Sequence, residues 1–207
     1  MNAIIHYDIN KSLEVKNEND LPKHITFEQF QKLYNELTGL TQIMWGLLWE
    51  TGGRITAVLS TKWGDIDFNS KQLTLAVQKK KRAYTIKIPL SNAMINDLRN
   101  YQLHIKPGPE NFIFETSKYN RMESECGRLT RQGAWGQVKR WGVKYLNCSL
   151  HPHMLRHGLA IYLLAQGVPV AVIAARLGHS SVSITQNAYL VITPELQRQM
   201  TAHVPMR

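Results

Sequence analysis

Residues 151–160 read HPHMLRHGLA and place three histidines and an arginine within seven positions. One chemistry open to them is metal ligation. His153 and His157 stand four apart, which on a helix stacks both imidazoles on one face, and Cys148 and His151 are near in sequence. Zinc-hydrolase helices with this spacing follow the first histidine with a glutamate, and none stands here; Arg156 also lies between the pair, where its charge opposes a dication. The expectation is therefore no metal and no cofactor. A second chemistry is phosphate handling. His153 and Arg156 are three apart and project from one helical face. A guanidinium fork binds two phosphate oxygens, and an imidazole accepts or relays a proton. The plain alternative is a helix start decorated with histidines. One such pair does not separate these two readings.

The charge balance bears on the choice. Lys and Arg number 25 against 15 Asp and Glu in 207 residues, a formal net charge of +10. A basic domain of this size points to a polyanion, above all nucleic acid. The cations also cluster, in KKKR (79–82) and in the series Arg121, Arg128, Arg131, Lys139, Arg140 and Lys144. No basic amphipathic helix with a strong apolar face stands out, and no apolar run approaches the ~18 residues of a membrane span, so no membrane partner is expected. Cys126 and Cys148 make no disulfide framework, and residues 1–20 lack a secretory signal pattern. Both features suit the cytoplasm.

The elements that must position these residues follow from periodicity and caps. ITFEQFQKLYNEL (25–37) reads as a helix with Thr26 and Gln29 in a capping box and Gly39 as its stop. TQIMWGLLWE (41–50) reads as a buried helix, TGGR (51–54) as a glycine turn, and ITAVLSTKW as the start of a short helix. Leu73, Leu75 and Val77 alternate on one strand, and Ile86 and Ile88 on the return strand, a hairpin with a basic tip. A helix capped by Ser91, a brief FIF strand (112–114), a polar loop (115–128) and a basic helix capped by Thr130 come next. Trp135 and Trp141 are expected in the core. Pro152 suits the first turn of the histidine helix and Gly167 lies past its end. VPVAVIAARLG, HSSVSITQNAYLVI and TPELQRQMTAH read as three further helices. The fold class is mainly α with a small antiparallel β-hairpin sheet. Residues 1–22 read as an N-terminal extension.

HPHMLRHGLAIYLLAQG (151–167), RLGHSS (176–181) and Tyr189 together resemble the second motif box of the tyrosine recombinase (phage integrase) family. WETGGRITAVLSTKWGDID (49–67) resembles its first box, and QLTLAVQKKKRAYTIKIPL (72–90) the hairpin between the boxes. Order and spacing hold over roughly residues 24–203. The HPHMLRH run is especially similar to fimbrial-switch invertases. The resemblance implies a tyrosine recombinase catalytic domain over residues 23–207, without the family's N-terminal core-binding domain. It implies site-specific strand cleavage and rejoining of double-stranded DNA by a homotetramer on paired sites. Tyr189 matches the nucleophile, and Arg54 and Arg156 the arginines that clamp the phosphate. His153 matches the proton acceptor, His179 the LGH histidine, and Lys79 the hairpin lysine that protonates the leaving 5′-oxygen. Lys80, Lys81, Arg82, Arg131, Lys139 and Arg140 are the candidate DNA contacts.

The chain departs from the family pattern in four places. Ala57 stands where an acidic residue usually follows the first-box arginine, and Gly53 where leucine is commoner. His179 and Tyr189 are ten apart, one more than the commonest spacing. The hairpin lysine is Lys79 counted on the KxKR pattern and Lys81 counted back from Pro89. Two other functions share this pattern: a DNA-binding protein on the same fold with cleavage impaired, to which Ala57 points, and a type IB topoisomerase.

Overall fold

The computed structural model describes residues 23–78, 83–115, 128–179 and 185. Helix α1 (Phe27–Asn35) opens on the expected capping box. The Thr26 hydroxyl accepts from the Gln29 N–H at 3.2 Å, and the Gln29 side chain accepts from the Thr26 N–H at 2.9 Å. Gly39 does not end this helix. The chain leaves the helical path at Glu36 because Leu37 turns into the core, where it is 2% exposed. Gly39, at φ 58°, instead opens helix α2 (Gly39–Thr51). Residues Ile43–Trp49 are buried without a break, so α2 is apolar all round and forms the centre of the core. Helix α3 (Ile55–Leu59) follows the glycine turn, then a 3-10 turn at Trp63–Asp65.

The sheet has three antiparallel strands in the order β1 (Ile66–Asp67), β2 (Gln72–Gln78), β3 (Ala83–Pro89). Leu73 pairs with Ile88, Leu75 with Ile86 and Val77 with Tyr84, and the β2 apolar face is buried as the alternation predicts. The expected hairpin is therefore extended by β1. Its two residues are too few to show alternation. The Asp67 carboxylate holds it in place by accepting from the N–H groups of Asn69 and Ser70, which closes the turn into β2. The FIF segment is not a strand. Phe112 makes an isolated bridge with Lys62, while Ile113 and Phe114 are both buried, which an alternating strand does not allow.

Ser91 caps α4 (Asn92–Ile105) by accepting from the Met94 N–H at 3.1 Å, and Thr130 caps α5 (Arg131–Leu146) by accepting from the Gly133 N–H at 3.0 Å. Helix α6 (Pro152–Ala165) starts with Pro152, and α7 (Val170–Leu177) ends at Gly178. Helix α6 lies against α2 and α1 through Leu155 and Leu159, 0% and 4% exposed. An aromatic cluster ties these helices: Phe30 stacks on Trp49 at 4.4 Å, and Phe27 meets Tyr162 at 4.6 Å. Trp141 packs on this core, but Trp135 does not join it. Thr185 is helical and fully buried. The N-terminal extension, the hairpin tip 79–82, most of the polar loop, Tyr189 and the expected C-terminal helix lie outside the described residues. Among the described residues no helix is long and apolar enough to cross a membrane.

Candidate active site

The glycine turn, α6 and the end of α7 meet at one side chain. Arg156 is 5% exposed. Its guanidinium donates to the Gly52 carbonyl at 2.6 Å and to the Leu177 carbonyl at 2.8 Å. A buried cation in this position is held in one orientation by both its amino nitrogens. The turn itself is built for close approach. Gly52 has φ 59°, and a Cβ there would lie 2.5 Å from the Leu177 side chain. A Cβ on Gly53 would lie 2.8 Å from the Leu75 side chain of β2 and 3.0 Å from the Thr51 hydroxyl. Thr51 donates to the Leu47 carbonyl and accepts from the Gly53 N–H at 2.9 Å, so the turn leads into Arg54 in a set conformation. Arg54 is exposed at the N-cap of α3.

The histidines form a row rather than a cage. The His151 and His153 ring centroids are 6.5 Å apart and those of His153 and His157 6.4 Å. Among the described residues no group of three or more His, Cys, Asp or Glu is placed to hold a metal ion. The His153 residue is exposed although its ring is partly covered. That desolvation, followed by the charges of Arg156, His151, Arg54 and Arg131, holds its pKa below the ordinary 6.5. A ring held below that value is neutral at neutral pH. His157 is pushed further, down to about 4, by burial first and then by His153 and Arg156. His151 stacks on Trp135 at 5.8 Å, and Arg131 lies over the other ring system of that pair at 5.9 Å from the Trp135 centroid. Trp135 therefore belongs to the site's edge and not to the core.

His179 follows the α7 cap. Its Nδ1 lies 2.7 Å from the Thr185 hydroxyl, four residues before Tyr189 in sequence. The Tyr84 hydroxyl of β3 donates to the Gly178 carbonyl at 3.1 Å, and Val77 of β2 also lies against Gly178. This brings the end of the hairpin, where Gln78 pairs with Ala83, beside the histidine turn. Lys79, Lys80, Lys81 and Arg82 connect those two residues and lie outside the described residues, as does Tyr189.

Of the expected site residues, the structure thus groups Arg54, His153 and Arg156, with Arg131 near enough to act on His153 and His179 joined through the end of α7. Lys139 and Arg140 are exposed on α5. Eight helical steps put Lys139 about 80° round the helix from Arg131, and nine put Arg140 on the opposite side. Two arginines that the sequence did not single out for chemistry also line the site. Arg128 donates to the Ser60 hydroxyl at 2.6 Å, and the Arg176 Nε donates to the Glu50 carbonyl at 2.9 Å. Arg176 stands three residues before His179, a spacing that could have drawn attention to it.

This constellation can be set beside known proteins. The tyrosine recombinase XerA of Pyrococcus furiosus is 30% identical over 169 residues, covering 80% of this chain and 56% of that protein. A probable integrase/recombinase of Methanocaldococcus jannaschii is 31% identical over 140 residues, covering 67% of this chain and 42% of that protein. The chain spans about half the length of these curated relatives. Among solved structures, XerA recombinase matches with a TM-score of 0.73 at 20% identity, over 90% of this chain and 67% of that one. The XerH site-specific recombinase bound to its difH substrate in a pre-cleavage complex matches at 0.64 and 19% identity, over 87% of this chain and 53% of that one. These likenesses give the fold, that of a tyrosine recombinase catalytic domain. The sequence model of the phage integrase family matches residues 23–195, a span that takes in the glycine turn, the hairpin, the histidine helix and the turn at His179, and the chain belongs to that family.

Proposed function

We propose that this chain is a site-specific DNA recombinase that cleaves and rejoins strands through a 3′-phosphotyrosine intermediate. The Tyr189 oxygen attacks the scissile phosphorus and its proton passes to neutral His153. The P–O bond to the 5′-oxygen breaks, and that oxygen takes a proton from the hairpin lysine, Lys79 in our assignment. Arg54 and Arg156 hold the non-bridging oxygens as charge builds on them, and His179 orients the phosphate. Free tyrosine has a pKa of about 10, so attack near neutrality needs this positive surround and the base. The phosphotyrosyl bond keeps the energy of the broken one, so a second 5′-hydroxyl can reseal the strand without ATP.

The observation that carries this reading is the buried Arg156, which joins the Arg54 turn to the end of α7 while its charge helps keep His153 neutral. The partner is double-stranded DNA, held by phosphate contacts from Lys80, Lys81, Arg82, Arg131, Lys139 and Arg140, and the working assembly is a homotetramer on paired sites. The protein works in the cytoplasm, on the nucleoid when bound to DNA. The test uses nicked duplexes built on inverted repeats sought by sequencing the DNA around the gene. A protease-sensitive covalent adduct should form, and Tyr189→Phe should abolish it. Tight binding with no adduct on any such duplex would leave only a DNA-binding module.

A further inference from the structure

His153, the proton acceptor of the proposed cleavage, is an exposed residue, and among the described residues no hydrogen bond fixes its ring. Other rings bracket it instead. His151 stands edge-on to it, at 6.5 Å between centroids and 63° between planes, and His157 tilts against it at 6.4 Å and 35°. His157 is carried by α6 itself. His151 is the N-cap residue, outside the helical turns, and Pro152 confines it to the extended region where it stands, at φ −141° and ψ 155°. Its ring meets α5, where it stacks on Trp135 at 5.8 Å with 18° between planes. Trp135 has no place in the core to account for it, and Arg131, one turn earlier on α5, lies over its ring. The Nδ1 atom of His151 is buried and has no hydrogen-bond partner among the described residues. A neutral ring can bury Nδ1 as a bare acceptor and keep its proton on Nε2, whereas an imidazolium would bury an N–H without an acceptor. Burial first, then the charge of Lys23, accordingly hold the His151 pKa below the ordinary 6.5. The ring thus flanks His153 at neutral pH without adding a cation to Arg156, Arg54 and Arg131, which already act on it.

We propose that His151 and Trp135 are positioning residues for His153. The indole of α5 fixes the His151 ring by stacking, and the edge of that ring fixes the plane of the His153 imidazole. The aromatic outline of His151 does this, and its nitrogens take no part. Proton transfer needs the acceptor lone pair aimed at the phenol, and a ring free to turn about its side-chain bonds is seldom so aimed. The same stack joins the two helices, so the aim of a base on α6 follows the placement of α5. That consequence for cleavage rests on the recombinase reading, but control of the His153 ring and its hydration does not.

The experiment takes two readouts on the full chain: NMR titration of the His153 imidazole without DNA, and the rate of covalent adduct formation on nicked duplex. His151→Ala and Trp135→Ala should each slow adduct formation about tenfold. In both, His153 should titrate closer to 6.5 because its ring gains water, and the acid limb of the pH profile for adduct formation should move up with it. His151→Phe keeps the outline of the ring and has no nitrogen, so it should recover all but about threefold of the rate, and Trp135→Phe should do the same. If Trp135→Ala does not fold, the contrast between alanine and phenylalanine at position 151 decides alone. A His151→Phe chain as slow as His151→Ala overturns the proposal, because a ring nitrogen would then be at work. So does a His153 titration that neither alanine variant moves, even if Tm falls. A parent chain that forms no adduct while the titration shifts as expected leaves the positioning pair standing and removes the recombinase reading. Adduct formation at the parent rate in both alanine variants does the reverse.

Discussion

Helix α5 buries three of its sixteen residues, Ala134, Val138 and Gly142, whereas α6 buries seven of its fourteen, Arg156 among them. Both helices carry cations, and α5 brings Arg131 near His153 of α6, but they hold them differently. On α6 the guanidinium is out of water and bonded to two carbonyls, so its position is part of the core packing. On α5 Arg131, Lys139 and Arg140 are exposed, with Arg131 over the Trp135 ring. A buried charge of the first kind has one geometry and is costly to remove. A surface charge of the second kind contributes field, is screened by salt, and tolerates exchange. A cation fixed by the core and cations left on the surface thus stand on two different helices.

Arg156→Ala should have the largest effect. It strands two carbonyls at ~1–3 kcal/mol each, and removes a transition-state donor whose loss costs ~10²–10³ in rate. Adduct formation should all but cease and Tm should fall by several degrees. A variant that kept its Tm would show that the buried arginine does not organise the core. His153→Gln comes next. It lies on the same helix but is exposed, so cleavage should drop by about 10²-fold while Tm stays put. In the parent chain the acid limb of the pH profile for adduct formation should lie below 6.5, because protonation of His153 is disfavoured.

His157 gives a stability effect of intermediate size. Its folded pKa of about 4 lies under the ordinary 6.5, so the fold prefers the neutral ring. The associated stability is complete above 6.5 and is lost as pH falls towards 4. His157→Gln should flatten the Tm profile across that interval, and an unchanged slope would assign the acid sensitivity elsewhere. The smallest effect belongs to α5. Lys139→Ala should lower DNA affinity severalfold, reduce the slope of log K against log salt by about 1, and leave Tm unmoved. A loss of Tm comparable with that of Arg156→Ala would erase the distinction between the two helices.

Much of this was legible from local rules. The Thr26–Gln29 capping box, the Ser91 and Thr130 caps, the Leu73–Val77 alternation and the Pro152 helix start each depend on a few adjacent residues. The misreadings have other causes. Gly39 was overruled by burial of Leu37 in the core, and Phe112 pairs with Lys62 fifty residues earlier, contacts that leave no period in the sequence. The turn at Asp67 is local, but the strand it holds is only two residues long and cannot show an alternation. The order of Arg54, His153, Arg156 and His179 was readable as a motif, and the structure groups the first three. What the motif did not disclose is that Arg156 is a structural tie, that Trp135 faces His151, or that Arg128 and Arg176 also line the site.

The two bonds of Arg156 also set a timetable. One reaches back 104 residues to Gly52 and the other forward 21 residues to Leu177. During synthesis the aromatic cluster of α1, α2 and α6 can begin to pack earlier, but the arginine has its second acceptor only after α7 has left the ribosome. Contacts this distant in sequence close late and slowly. A nascent chain therefore carries its glycine turn and its hairpin well before it can align them, and the site comes into being only after α7 has emerged.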